Sequence, residues 1–119
     1  MLDEAINRSI EKSYVIETAG DHKLLDVGDN SFLITDIIIT NKGTNCTLRL
    51  HDDNGNHFEI VSLDDKEKKF CYGFAGGGLL SWKGAHLRLD VDSDKKITIV
   101  VCYIPAQNGL DFELWNQRR

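Results

Sequence analysis

The sequence lacks long apolar runs and has almost no proline: Pro105 is the only one in 119 residues. No stretch approaches the roughly 18–20 apolar residues of a membrane-spanning helix. The N-terminal stretch MLDEAINRSI also lacks the basic and hydrophobic regions of a secretory signal. We therefore expect no membrane partner, and synthesis in the cytoplasm.

An excess of basic charge is missing as well. The formal net charge is −5, and Lys and Arg are scattered over turns instead of being gathered on one face. Phosphate binding needs a basic patch, so this distribution disfavours nucleic acid as a partner.

Cysteine is scarce, with Cys46, Cys71 and Cys102 as an odd set that contains no C-x-x-C pair. A disulfide framework or a zinc site is therefore disfavoured, and we expect reduced, mostly buried thiols. No catalytic or cofactor motif is present either, so the chain is expected to be non-enzymatic and to need no cofactor.

What the sequence does contain is two long β-branched stretches, Phe32–Thr40 and Lys96–Ile104, each apolar on both faces. Strands of this kind are covered on both sides and lie centrally in a sheet. About eight or nine short strands separated by turn signals complete the pattern. The predicted fold is all-β: an antiparallel β-sandwich, and specifically a jelly roll of about eight strands.

The sandwich domain is expected over residues 14–105, beginning with a strand at Tyr14–Thr18 after an arm or short helix in residues 1–13. Leu2, Ile6 and Ile10 recur at a spacing of four after Asp3, a possible N-cap, which favours a helix over 2–12. A turn is expected at Gly20-Asp21, and residues 106–119 form a C-terminal tail.

Two hairpins follow from alternation. A three-residue loop at Asp53-Asn54-Gly55 sets Leu50 against Phe58 and Leu48 against Ile60, keeping apolar side chains on one face. The same reasoning at Asp92–Asp94 sets Leu89 opposite Ile97, with Ala85, Leu87, Leu89 and Val91 inward.

With Ile97, Ile99 and Val101 facing the core, an apolar remainder lies on the outer face of the sheet. We predict an oligomer interface there, formed by Ile38, Val100, Cys102 and Ile104. The alternative is that the N-terminal arm or the tail segment Leu110–Trp115 folds back and covers this surface.

Other candidate sites are weaker. Asp52–Asn56 resembles a calcium loop, but His57 and Leu63 occupy the positions that need glycine and glutamate, so a hairpin tip is favoured. Gly76-Gly77-Gly78 lacks the phosphate-loop pattern, and Ser81 and Cys71 lack a nucleophile motif.

The histidines His22, His51, His57 and His86 could suggest a metal, as in cupin enzymes. The predicted register nevertheless places His57, Glu59 and His86 on outer faces, whereas a cupin site lies inside the barrel. We therefore expect no metal.

Exposed aromatic residues give a different function class. Trp82 and Tyr72 could stack on sugar rings, as in carbohydrate-binding modules, although packing roles are the simpler interpretation.

The run ITDIIITNKGTNCTLRLHDDNGNHFEIV resembles the small jelly-roll proteins that decorate or join parts of tailed-phage and related virus particles. The closing GAHLRLDVDSDKKITIVVCYIPA is similar to the last hairpin of such domains. The likeness covers residues 32–106 and implies a trimeric or higher homo-oligomer, associated with a virion or particle and with its other structural proteins.

Overall fold

The computed structural model describes residues 9–73 and 78–105, and within them it contains nine β-strands and no helix. The strands are β1 (Ile10–Ile16), β2 (Gly20–Asp26), β3 (Phe32–Asn41), β4 (Cys46–His51), β5 (His57–Leu63), β6 (Lys69–Gly73), β7 (Leu79–Leu80), β8 (His86–Val91) and β9 (Ile97–Pro105).

The strands form two antiparallel sheets. The first sheet has the order β1-β9-β3-β6, with the short β7 also paired to β3, and the second has the order β2-β8-β4-β5. With β7 set aside, the first strand pairs with the last, β2 with β8, β3 with β6 and β4 with β5. A long antiparallel hairpin rolled upon itself gives this pairing, which is the jelly-roll topology predicted from the sequence.

The core lies between the two sheets and comes from period-two alternation. In β9 the inward side chains Ile97, Ile99 and Val101 are fully buried, as predicted. From the second sheet, Leu48, Leu87 and Leu89 meet them. The central position of both β-branched strands is also confirmed, because β9 lies between β1 and β3, and β3 lies between β9 and β6.

The β4–β5 hairpin has the predicted three-residue loop. Gly55 has a φ of +86°, and its amide donates to the carbonyl of Asp52. Leu50 pairs with Phe58 as expected, but Leu48 pairs with Val61 because a bulge at Ile60 shifts the register. Phe58 lies on an edge strand and is half exposed instead of being part of the core.

The predicted β8–β9 hairpin is wrong. Strand β8 pairs with β2 and β4, whereas β9 pairs with β1 and β3, so the chain crosses from one sheet to the other at Asp92–Asp94. The side chains of Leu89 and Ile97 both point into the core, but they do so from opposite sheets. Alternation fixes which face of a strand is buried and leaves its hydrogen-bonding partner open.

The N-terminal expectations also need correction. The helix over 2–12 is not seen: residues 10–12 belong to β1, which runs from Ile10 and not from Tyr14, while residues 2–8 lie outside the described part. Gly20 and Asp21 begin β2 instead of forming a turn. The tail over 106–119 lies outside the described residues.

Candidate functional site

The outer face of the first sheet is built from the side chains that point away from the core. Cross-strand register places them in rows, of which one consists of Ser13, Val100, Ile38 and Cys71. The rows on either side consist of Val15, Thr98, Thr40 and Lys69, and of Glu11, Cys102, Asp36 and Gly73. Only Glu11, Asp36 and Lys69 are charged, and all three lie in the flanking rows on β1, β3 or β6.

We call Val15, Ile38, Cys71, Val100 and Cys102 the apolar face. Val15 is 58% exposed, Ile38 is 42% exposed, and the Cys71 side chain is exposed as well. Val100 and Cys102, on the central strand β9, are partly buried. The exposed β-branched side chains Val15 and Ile38 thus lie on one side of the sheet, on β1 and β3, with the partly buried Val100 of β9 between these two strands.

Two of the three cysteines therefore depart from the expectation of buried thiols. Cys46 is buried in the core, but Cys71 is exposed and Cys102 is of intermediate exposure. Burial raises the pKa of the Cys102 thiol, with Asp36 and Glu11 acting in the same direction. Cys102 therefore stays neutral and behaves as a small apolar group on this face.

One end of this sheet surface is covered within the chain. Ile104 pairs with Leu33 in register, and the two are 1% and 0% exposed although neither belongs to the core between the sheets. Gly78 lies directly against Leu33: a Cβ built on it would be 3.1 Å from Leu33 Cγ. Of the predicted interface residues, Ile104 is thus buried in a single chain, while Ile38 is open.

The outer face of the second sheet has the opposite character. Its rows consist of Asp21, Asp90, Thr47 and Ser62, then Lys23, Arg88, Arg49 and Glu59, and finally Asp26, His86, His51 and His57. Ion pairs connect the rows, with Lys23 to Asp26 at 2.8 Å, Arg88 to Asp21 at 3.3 Å and Arg49 to Asp90 at 3.7 Å. The first two rows are typical of a hydrated protein surface, whereas His86 in the third row is only 2% exposed.

His86 meets His51 and His57 of the β4–β5 hairpin on this second face, and we call these three residues the histidine ladder. The ring centroids of His51 and His86 are 5.7 Å apart, and those of His51 and His57 are 6.2 Å apart. The predicted outer location of His57, Glu59 and His86 is confirmed by the register. Within residues 9–73 and 78–105, no group of three or more potential ligands is arranged to hold a metal ion.

The acidic tip of the β4–β5 hairpin is a structural anchor. The Asp52 carboxylate accepts hydrogen bonds from the backbone amides of Asn54 and Asn56, from Asn56 Nδ2 and from Trp82 Nε1, all at 2.9 Å. The Asn56 side chain, followed by Trp82 and the two amides, lowers the pKa of Asp52 to about 2. The oxygens that would have faced a calcium ion are used by the hairpin itself.

The two candidate sugar-stacking residues have different surroundings. Trp82 is partly buried against the core, and its indole N–H is engaged by Asp52. Tyr72 is 50% exposed on edge strand β6 and stacks on Phe70, with ring centroids 6.2 Å apart. Of the glycine run, residues 76 and 77 lie outside the described part, and Gly78 lies against β3.

Comparison with known proteins supports the fold. The nucleoplasmin-like N-terminal domain of Drosophila FKBP39 aligns with a TM-score of 0.51 and 12% identity, over 87% of this chain and 96% of that one. At this identity the likeness shows a shared β-sandwich fold and nothing more. No protein-family model and no curated sequence matches the chain.

Two further structures align less well. The capsular polysaccharide assembling protein CapF from Staphylococcus aureus gives a TM-score of 0.48 at 8% identity, over 86% of this chain and 26% of that one. The extra small virus particle of the prawn Macrobrachium rosenbergii gives a TM-score of 0.26 at 13% identity, over 80% of this chain and 78% of that one.

The part of the chain that the structure describes contains no helix with the length and apolar character of a membrane span.

The sequence pattern did not single out Val15 and Cys71 as part of the apolar face. Alternation in Ile10–Ile16 and Lys69–Gly73 is weak, because these are edge strands with mixed faces. Only the register with the central strands shows that the two side chains extend the surface formed by Ile38 and Val100.

Proposed function

We propose that this chain is a non-enzymatic assembly module whose copies associate through the apolar face. The observation that carries the proposal is the contrast between two outer faces of one sandwich: the second sheet presents ion pairs and histidines, while the first presents Val15, Ile38 and Val100. Both faces are equally available to solvent in an isolated jelly roll. Selection for solubility alone would have put charges on both.

The shape of this face suits association with a second copy. Its side chains are short and β-branched or cysteine, so two such surfaces can approach closely without ordering long flexible side chains. The charged residues Glu11 and Lys69 lie on the edge strands β1 and β6, as the polar rim of an interface does, whereas Asp36 lies on the central strand β3 opposite Cys102.

The finer form of the proposal is a trimeric structural component of a phage or virus-like particle, which also contacts other proteins of that particle. Its support is the resemblance of residues 32–106 to particle-decorating jelly rolls, together with the jelly-roll topology itself. Carbohydrate binding through Tyr72 and Trp82 is the competing interpretation, and it predicts a monomer.

The proposal is tested by measuring the mass of the full chain by light scattering as it elutes from a size-exclusion column at micromolar concentration. We expect a discrete oligomer, with a trimer appearing at three times the mass of the chain. Ile38→Glu places a carboxylate in the buried contact at a cost of about 3 kcal/mol or more, which weakens association by roughly a hundredfold or more. The variant should elute as a monomer with an unchanged strand signal in circular dichroism.

Ser62→Glu is the matched control, because it adds the same charge at an exposed strand position of the opposite sheet. It should leave the oligomer intact. Cys71 gives a second readout, since its exposed thiol should react with iodoacetamide more slowly in the oligomer than in Ile38→Glu. A wild-type chain that is monomeric, or an Ile38→Glu chain that stays associated, would contradict the proposal.

A further inference from the structure

The histidine ladder crosses three neighbouring strands of the second sheet. His86 on β8 pairs with His51 on β4, which pairs with His57 on β5, and Asp26 on β2 pairs with the other side of His86. Together with Asp26, the ladder therefore forms a row that crosses all four strands of this sheet. A change in the charge of its rings acts on all the strand pairs at once.

The ladder is also partly dry. His86 is only 2% exposed, and within the described residues neither His86 Nε2 nor His51 Nδ1 has a hydrogen-bond partner, although both atoms are buried. Burying a ring nitrogen without a hydrogen-bond partner costs a neutral imidazole less free energy than an imidazolium, because the imidazolium must also bury its charge. Two imidazoliums with centroids 5.7 Å apart would also repel each other.

The surrounding charges do not compensate for added protons. On β2, Asp26 is paired with Lys23, and Asp21 with Arg88 of β8. On β4, Arg49 is paired with Asp90 of β8 and lies opposite Glu59 of β5, while the Asp52 carboxylate at the hairpin tip is occupied by Asn56 and Trp82. These carboxylates, which come from the strands around the ladder, thus already have an ion-pair or hydrogen-bond partner or lie opposite an arginine.

We propose that the histidine ladder is an acid-sensitive switch that keeps the second sheet closed near neutral pH and loosens it when the adjacent imidazoles take up protons. Strand β5 is the element released first, because it is held only by β4 and, unlike the other edge strand β2, it carries a histidine of the ladder. The switch lies on the opposite side of the sandwich from the apolar face and does not depend on assembly.

The direction of the pH effect follows from the neutral state of His86. Burial lowers the pKa of His86, and Lys23 and Arg88 lower it further, while Asp26 opposes them. The unfolded chain then binds more protons than the folded chain just below the ordinary histidine value of about 6.5. Stability is therefore complete above that pH and is lost as the pH falls toward the lowered pKa.

Urea unfolding of the full chain at about pH 7.5 and about pH 5.5 measures the switch. We expect the folding equilibrium constant of the wild type to fall several-fold between these pH values, toward the limit of about tenfold set by one histidine that titrates at about 6.5 only when unfolded. His86→Gln should remove most of that fall, because glutamine does not titrate. His22→Gln is the matched control: His22 contacts the Thr18 carbonyl outside the ladder, and its loss should leave the fall unchanged.

Histidine titration by NMR decides the question even where His86→Gln folds poorly. In the wild type, His86 should titrate below the ordinary value, and in His51→Gln it should shift upward, because one cationic neighbour has been removed. Both measurements are repeated in the Ile38→Glu background to separate the switch from association. A His86 that titrates at or above about 6.5 would overturn the switch, as would a His86→Gln variant that keeps the full pH dependence.

Discussion

At the scale of single residues, two buried polar side chains hold the turns in place. Asn41 Nδ2 donates to the carbonyls of Thr44, Asp64 and Glu67, and its Oδ1 accepts from the amides of Gly43 and Thr44. Asp52 performs the same task at the β4–β5 hairpin and also holds Trp82. Such groups satisfy backbone atoms that the sheets leave unpaired at their ends.

Replacing Asp52 by Asn should release Trp82. The new side-chain N–H₂ would stand where Asp52 Oδ2 accepts hydrogen bonds from Trp82 Nε1 and Asn56 Nδ2. Because an N–H₂ group is a donor facing two donors, both hydrogen bonds are lost. In a Trp115→Phe background, where Trp82 is the only tryptophan, we expect its fluorescence emission to move several nanometres to the red and the urea midpoint to fall. Asp53→Asn, at the exposed next position, should change neither.

The same carboxylate also sets an acid limit. Because the pKa of Asp52 is lowered to about 2 in the folded chain, its contribution is complete above its ordinary value and is lost as the pH falls through about 2. In a His86→Gln background, which removes the response of the histidine ladder, Trp82 emission should stay constant down to about pH 4 and shift only in stronger acid. A shift that accompanies the histidine titration instead would show that another group holds the indole.

At the scale of elements, β3 is covered on both sides over its first residues and on one side later. Phe32, Leu33 and Ile34 are all fully buried, whereas Ile38 is open. The change occurs across the bulge between Ile34 and Asp36. Gly78 contributes to the cover, because its backbone lies on Leu33 and on the Ile34 carbonyl.

Gly78→Ala should therefore destabilise the chain strongly. Its φ of +98° costs about 1–2 kcal/mol for a residue with a Cβ. The added methyl would also lie 2.6 Å from the Ile34 carbonyl oxygen, which adds about 1–3 kcal/mol of overpacking. Gly55→Ala is the control, since Gly55 has φ +86° but no heavy atom within 4 Å of the built Cβ. Equal losses of urea stability in the two variants would rule out the close packing of Gly78 on β3.

At the scale of the whole molecule, the sandwich is polarised, with an apolar outer face on one sheet and a charged outer face on the other. A chain that assembles through its apolar face gains stability from mass action. We expect the thermal midpoint of the wild type to rise by several degrees over a hundredfold increase in protein concentration. The midpoint of Ile38→Glu should be independent of concentration, and a constant wild-type midpoint would argue for a stable monomer.

Much of this molecule could be predicted from local pattern. The alternation in Cys46–His51 and His86–Val91 predicted their buried faces correctly, and the β-branched runs predicted the central strands. The loop at Gly55 followed from the need to keep Leu50 and Phe58 on one face. The predicted helix over 2–12 is wrong for residues 10–12, which form the start of β1. The apolar spacing there also suits an edge strand paired with β9.

The sequence by itself determined which residues form strands and which face of each strand is apolar, because side-chain alternation is a local property of an extended chain. Only the tertiary structure decided which strands become partners: it separated β8 from β9, brought His86 into one row with the hairpin histidines His51 and His57, and buried Ile104 while leaving Ile38 open. Those outcomes depend on contacts between residues far apart in the chain, and no local period encodes them.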